Sequence, residues 1–150
     1  MFQGTTHGAI RGSRRVISPR DAPPTANILL IDDDELLRGS TETYLRSAGY
    51  HVVAVSNAMA GLDVLDSGAQ VDLALIDILM PKGEPHGLSF ARMARMRRAG
   101  LPIIFMTGYP DLADKEIALG GPLFAKPVDW PRLIEEIEIQ LQPVSFPPPL

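Results

Sequence analysis

Cysteine is absent from the 150-residue sequence, and so is any apolar run long enough to cross a membrane. Without cysteine the chain can form neither disulfide bonds nor thiolate metal sites, and a reducing compartment is permitted. The N-terminus is not a signal peptide, because its arginines are not followed by an uninterrupted apolar core. At this length a single domain can bury a hydrophobic core of its own, and we expect one domain with tails.

Charge is distributed unevenly along the chain. Residues 1–26 hold four arginines against Asp21, a balance of +3, so residues 27–150 carry −4 − 3 = −7. An acidic body argues against nucleic acid as the main partner, because phosphate contacts require clusters of Lys and Arg. The Gly, Ser, Thr and Pro content of residues 1–26 favours a disordered basic leader over an electrostatic arm.

The most informative stretch is residues 73–81, in which an aliphatic run leads to Asp77 and Pro81 ends the run. A short apolar run of this kind is typical of a strand that is buried on both faces. We therefore predict a central strand at 72–76 with Asp77 at its carboxyl end, where parallel α/β sheets bind ligands. Taken alone, Asp77 could equally be a solubilising loop residue or a helix cap.

The rest of the pattern predicts strands alternating with helices. Four further strands are predicted at residues 28–31, 51–55, 103–106 and 123–125. Helices are predicted from Asp34 to about 48, after a cap at Ser56 or Asn57, and at about 88–98, 111–119 and 129–141. In the first helix we expect one face to contain Leu37, Thr41, Tyr44, Leu45 and Ala48. Such alternation implies right-handed crossovers and a doubly wound α/β fold, with one five-stranded parallel sheet and five helices.

Polar residues follow several of these strands, and the carboxyl ends of parallel strands meet at one edge of the sheet. They are Asp32, Asp33, Asp77, Thr107 and Lys126. Clustered carboxylates repel one another unless a cation offsets their charge, and Mg²⁺ prefers such oxygen ligands. A carboxylate nucleophile, a metal ion and a lysine together indicate phosphoryl transfer to a carboxylate. Each residue alone has a plain structural explanation, as a cap or turn residue, but their combination at the strand ends favours the functional one.

With these residues in place, the sequence from about 27 to 141 closely resembles the receiver domain of bacterial two-component response regulators. The matching residues are Asp32-Asp33, Asp77 within Ile76–Pro81, Gly87-Leu88, Thr107-Gly108 and Lys126-Pro127. The resemblance implies a flavodoxin-like fold with strand order 2-1-3-4-5, and a cytoplasmic protein. It also implies a receiver domain at 27–142, a Pro-rich tail at 143–150 and the stand-alone type, because no effector region follows residue 141.

The resemblance further implies a role for each site residue. Asp77 would accept a phosphoryl group from the phosphohistidine of a sensor histidine kinase or a phosphotransfer protein. Asp33 and Asp77 would bind Mg²⁺ directly with the backbone carbonyl of Leu79, and Asp32 would bind it through water. Thr107 would hydrogen-bond the phosphoryl group, Lys126 would pair with it, and the Lys126–Pro127 bond would be cis. Phosphorylation would switch a protein-binding surface, and a homodimer through the last two helices and the strand between them is allowed.

The sequence departs from the family in two places, and two further residues bear on the lifetime of the phosphoryl group. The loop between Pro81 and Gly87 has five residues where three are usual. Leu123 stands where relatives often have an aromatic switch residue, and Phe124 beside it should face the other way. Leu79 and Tyr109 should exclude water from the acyl phosphate, which predicts slow self-dephosphorylation. The arginines of the helix at 88–98 are expected to form a solvated face rather than a docking surface.

Two alternatives belong to other functional classes. A haloacid-dehalogenase-like phosphatase would use Asp32 of the Asp32-x-Asp34 motif as its nucleophile. That family needs a further acidic pair beyond the lysine, and no strand after Lys126 leads to one. A pseudo-receiver would keep the fold without phosphorylation, and the complete acidic, Thr and Lys set argues against it.

Overall fold

Five strands and four helices alternate along the described part of the computed structural model, which comprises residues 25–78, 87–109 and 120–142. The strands are β1 (Asn27–Ile31), β2 (His51–Val55), β3 (Leu73–Asp77), β4 (Ile103–Thr107) and β5 (Leu123–Ala125). The helices are α1 (Glu35–Ser47), α2 (Ala58–Asp66), α3 (Gly87–Arg97) and α4 (Trp130–Leu141). The helix predicted at 111–119 and the loop before Gly87 lie outside the described residues.

All strands are parallel, in the order β2-β1-β3-β4-β5. This confirms the predicted doubly wound, flavodoxin-like sheet. The central strand β3 lies one residue later than predicted, so that Asp77 is its last residue and pairs with Met106 of β4. A carboxylate held by a strand ladder on a five-residue buried strand has a fixed position, which matters for the chemistry described below.

The core has two layers, one on each face of the sheet. Side chains of a strand alternate between the faces, and Leu29 and Ile31 pack beneath α2 and α3 while Ile28 and Leu30 pack beneath α1 and α4. Both faces of β1, β3 and β4 are covered, which explains why these central strands are apolar almost throughout rather than alternating with polar residues. Leu123 and Phe124 lie against opposite layers, as predicted.

The helix starts follow ordinary capping chemistry. Asp34 accepts a hydrogen bond from the amide of Leu37 at 3.0 Å, and Asn57 accepts one from Ala60 at 2.8 Å. Asn57, rather than Ser56, is therefore the cap of α2. These side chains satisfy amides that have no partner within the helix.

The face of α1 that contains the residues predicted to lie together is buried only in part. Thr41 and Leu45 are buried, but Leu37 is 38% exposed and Ala48 is also exposed. Leu45, in the last turn, packs in the core layer of Ile28 and Leu30, whereas Leu37 in the first turn and Ala48 after the helix do not.

Three arginines at the end of α3 and just after it contact neighbouring elements. Arg95 donates to the carbonyl of Gly120 at 2.7 Å, and Arg97 pairs with Asp66 at 2.7 Å. Arg98 donates to two carbonyls at the end of α2, those of Leu65 and Ala69, both at 2.8 Å. These contacts link α3 to its neighbours, while Arg92 and Arg97 are exposed on the helix surface. No helix in the described ranges is long and apolar enough to span a membrane.

Candidate functional site

The polar residues predicted to meet do lie at one edge of the sheet. Asp32 follows β1 directly, Asp77 ends β3, Thr107 ends β4 and Lys126 follows β5. Because the strands are parallel, their carboxyl ends lie at the same edge of the sheet. The four residues are therefore neighbours in space although up to 94 residues separate them in sequence. The sheet therefore brings together what the chain keeps apart.

Lys126 joins two of the carboxylates. Its Nζ lies 2.9 Å from Oδ2 of Asp77 and 3.0 Å from Oδ2 of Asp32, and the three side chains are 14%, 9% and 1% exposed. Burial lowers the pKa of the Lys126 ammonium, but the hydrogen bonds and charges of Asp77 and Asp32 raise it more, so that the pKa lies above its ordinary value of 10.5. The lysine is therefore a fixed cation beside Asp77 at any physiological pH.

Asp32 is fully buried, and each of its polar atoms has a partner. Its amide donates to the carbonyl of Val55, and its carbonyl accepts from Arg38 at 2.9 Å. Its two carboxylate oxygens accept from the amide of Asp34 and from Lys126, both at 3.0 Å. Asp32 is therefore held in one orientation through both of its carboxylate oxygens.

Asp32, Asp33 and Asp77 form a group that fits a metal ion. One carboxylate oxygen from each lies within 4.8 Å of the others, and Asp33 is exposed while the other two are buried. Three carboxylates and the Lys126 ammonium sum to −3 + 1 = −2, so a divalent cation would neutralise the cluster. Hard oxygen donors of this kind suit Mg²⁺. The predicted fourth ligand, the carbonyl of Leu79, lies outside the described residues.

Thr107 is linked to Lys126 and Tyr109 through the backbone. Its carbonyl accepts from the Lys126 amide at 2.8 Å, and its Oγ1 accepts from the Tyr109 amide at 3.0 Å. The Thr107 side chain is buried, being 1% exposed, whereas Tyr109 is 63% exposed. The Lys126–Pro127 bond is cis, as predicted. Thr107 and Lys126 are therefore parts of one connected unit at the end of β4 and β5.

Two residues contribute to the site in ways that sequence reasoning missed. Gly87 was noted as a motif residue, but its close approach to the backbone of Asp77 was not foreseen. Arg38 was not noted at all, and its contact with the carbonyl of Asp32 spans six residues. No local pattern marks that contact, since it depends on how α1 is set against the end of β1.

Comparison with known proteins decides the family. The family model described as "Response regulator receiver domain" matches residues 28–138. The chain belongs to this family. The receiver domain is 34% identical over 125 residues to the transcriptional regulatory protein GltR of Pseudomonas aeruginosa, which covers 80% of this chain and 50% of GltR. This chain thus spans half the length of that curated relative.

Solved structures agree with this assignment. The receiver domain resembles a response regulator receiver protein from Sinorhizobium medicae, with a TM-score of 0.71, 30% identity and coverage of 79% of this chain and 95% of that one. It also resembles the response regulator TrrA of Thermotoga maritima, crystallised with Mg²⁺ and BeF, with a TM-score of 0.70, 25% identity and coverage of 78% and 100%. The chain is therefore a receiver domain by sequence and by fold, and the phosphatase alternative is set aside.

Proposed function

We propose that this receiver domain accepts a phosphoryl group on the carboxylate of Asp77. The observation that carries the proposal is the position of this carboxylate, 2.9 Å from the Lys126 ammonium and within 4.8 Å of ligand atoms of Asp32 and Asp33. The donor is the phosphohistidine of a sensor histidine kinase or a phosphotransfer protein. In the transfer, an oxygen of Asp77 forms a bond to phosphorus as the bond from phosphorus to the imidazole nitrogen breaks, and the imidazole leaves with the electron pair.

The three carboxylates have different roles, with Asp77 as both nucleophile and metal ligand and the other two as metal ligands only. Asp33 and Asp77 would hold Mg²⁺ directly with the carbonyl of Leu79, and Asp32 would hold it through water. The full hydrogen bonding of Asp32 supports the indirect role, because neither of its oxygens is left without a partner. When bound, Mg²⁺ supplies positive charge to the phosphoryl oxygens. The structure of TrrA with Mg²⁺ and BeF is a precedent in a similar fold.

Lys126 and Thr107 act on the group that is transferred. Lys126 is already held between two carboxylates, so it can turn towards the phosphoryl oxygens as they arrive without being desolvated again. Thr107 accepts from the Tyr109 amide, which leaves its hydroxyl hydrogen to donate to the same oxygens. Since the Thr107 carbonyl is bonded to the Lys126 amide, the two residues move as a unit, and Tyr109 moves with them.

Self-dephosphorylation and output follow from the same arrangement. We expect slow hydrolysis, because Leu79 and Tyr109 would limit the access of water to the acyl phosphate. Output passes through a surface for a downstream protein, with dimerisation through β5, α4 and the segment before β5 as one route. The 27–142 receiver, the leader at 1–26 and the tail at 143–150 stay predictions, as does a cytoplasmic location.

Replacement of Asp77 by Asn tests the central claim. The wild type, incubated with a small phosphodonor and Mg²⁺, should gain the mass of one phosphoryl group on intact-mass analysis, and Asp77→Asn should not. Asp32→Asn is the matched control, since it changes a neighbouring carboxylate. This variant should be phosphorylated more slowly, and still on Asp77. Unmodified wild type would favour a pseudo-receiver. A gain that survives Asp77→Asn would show that another residue is the acceptor.

A further inference from the structure

Arg38 of α1 is the residue of the site region to which no role has been given. One of its guanidinium nitrogens donates to the carbonyl oxygen of Asp32 at 2.9 Å, in a partly buried contact that crosses the turn between β1 and α1. The turn consists of Asp32, Asp33 and Asp34. Its middle residue, Asp33, is the exposed member of the carboxylate group.

Through the peptide bond, the hydrogen bond from Arg38 to the Asp32 carbonyl also restrains Asp33. A peptide bond is planar, so the carbonyl oxygen of Asp32 lies in one rigid plane with the nitrogen and Cα of Asp33. A hydrogen bond that fixes this oxygen therefore fixes the position from which the Asp33 side chain leaves the backbone. The Asp32 amide and Lys126 hold the Asp32 side of the plane, and the Asp34 amide bonds back to the Asp32 carboxylate, so Arg38 adds the direct restraint on the carbonyl oxygen of the plane itself.

Asp33 has little else to orient it. Among the described residues, no hydrogen bond or ion pair is made by its carboxylate, whereas Asp32 and Asp77 are both held by Lys126. An exposed aspartate without a partner samples several rotamers. Restricting it to the one rotamer that binds the metal costs conformational entropy. Groups that orient metal ligands from outside typically change metal affinity by about 10- to 100-fold.

The charge of Arg38 adds to this effect. The run Asp32-Asp33-Asp34-Glu35 places four carboxylates in consecutive positions at the end of β1. The guanidinium carries a positive charge and binds the backbone rather than a carboxylate, so it offsets repulsion in the turn without occupying a ligand oxygen. Lys126, by contrast, contacts two of the ligand oxygens themselves.

We propose that Arg38 is a positioning residue that orients Asp33 for Mg²⁺ through the Asp32–Asp33 peptide plane. The inference rests on the proposed function, because it assigns Asp33 to the metal. A residue that recognises the phosphodonor would not alter the affinity for Mg²⁺. If Arg38 acts through the peptide plane, its loss must lower the affinity for Mg²⁺ even when no phosphodonor is present.

Mg²⁺ titration followed by amide NMR shifts tests the proposal without any phosphodonor. Arg38→Met should weaken Mg²⁺ binding by about tenfold, the lower end for groups that orient metal ligands. Arg38→Lys should recover part of the affinity, because an ammonium can also donate to the carbonyl. Arg92→Met is the control, since Arg92 is an exposed arginine on α3, and it should bind as the wild type does.

A double-mutant cycle shows whether Arg38 acts through Asp33. Asp33→Asn alone should weaken binding strongly, and adding Arg38→Met to it should change little. Equal losses from Arg38→Met in both backgrounds would overturn the proposal, as would a wild-type affinity for Arg38→Met. Failure of the wild type itself to bind Mg²⁺ or to be phosphorylated would contradict the proposed function as well, so the two failures are distinguishable. Thermal unfolding of each variant establishes that it is folded at the titration temperature.

Discussion

Gly87 lies directly against the backbone of Asp77. A Cβ built on Gly87 would stand 2.7 Å from the Asp77 carbonyl oxygen and 2.7 Å from Cα of Ile78, and the Gly87 amide donates to the Ile78 carbonyl at 3.1 Å. Both close atoms belong to the backbone, so no side-chain rotation can make room. The first residue of α3 therefore contacts the backbone at the end of β3, the strand that carries the acceptor carboxylate, and only glycine fits at position 87.

Replacement of Gly87 by Ala should displace this strand end. We expect Gly87→Ala to lower the free energy of unfolding by about 1–3 kcal/mol, as overpacking does in a filled core, and to slow phosphorylation of Asp77. Gly39→Ala is the matched control, because Gly39 lies within α1 with no atom within 4 Å of its added Cβ. That variant should gain about 0.5–1 kcal/mol from helix propensity. Denaturant titration measures both, and a Gly87→Ala protein as stable as wild type would contradict the clash.

The acid–base behaviour of Lys126 can be read directly, because the sequence has only two other lysines, Lys82 and Lys115. Burial acts to lower the pKa of Lys126, and Asp77 and Asp32 raise it by more. A ¹³C NMR titration of the lysine side chains should therefore show Lys126 losing its proton above pH 10.5. Asp77→Asn removes one of the two carboxylates, and it should lower the pKa of Lys126 relative to wild type. The Lys126→Arg spectrum assigns the signal.

The same shift fixes the sign of a stability effect. The folded-state pKa of Lys126 is raised, so its contribution to stability is complete below the unfolded value of 10.5 and is lost as pH rises through the folded value. Between pH 6 and 9 the contribution should be constant. A Lys126 signal that titrates at or below pH 10.5 would contradict the paired arrangement.

The strand ends and their polar residues were predictable from the sequence because their signals are local. An aliphatic run followed by Asp77 predicts a buried strand with a carboxylate at its end, and the periodicity of Trp130, Leu133 and Ile137 predicts the last helix. The structure confirms both, with Leu133 and Ile137 buried. The resemblance then supplied the strand order, which periodicity alone cannot give.

What could not be predicted depends on contacts between distant elements. Arg98 reaches carbonyls 29 and 33 residues away, and Arg38 bridges the end of β1 from within α1. A helical pattern places these arginines on a polar face, but whether such a face meets solvent or a neighbouring helix end is decided by packing. For the same reason the sequence places Leu37 and Leu45 on one face of α1, although only Leu45 is buried.

Tyr109 provides the test of slow self-dephosphorylation. Its ring is 63% exposed at the rim of the site, while its amide is bonded to Oγ1 of Thr107. Substitution of the ring leaves that amide in place, so the ring can be changed without disturbing Thr107. If the ring limits the approach of water, Tyr109→Ala should hydrolyse its acyl phosphate about tenfold faster, a change of about 1.4 kcal/mol in the barrier. Tyr109→Phe keeps the bulk and should decay as the wild type does.

The decay is followed by intact mass after removal of the phosphodonor, with Mg²⁺ held constant. Bulk is the property under test, so the Ala and Phe variants must differ from each other. Equal decay of the two would mean that the ring does not shield the acyl phosphate, whatever the absolute rate. Decay of the wild type within seconds would contradict slow hydrolysis itself. If the Ala and Phe variants both decay faster than the wild type, the hydroxyl group rather than the bulk of the ring controls the access of water, and the control is by hydrogen bonding rather than by steric exclusion.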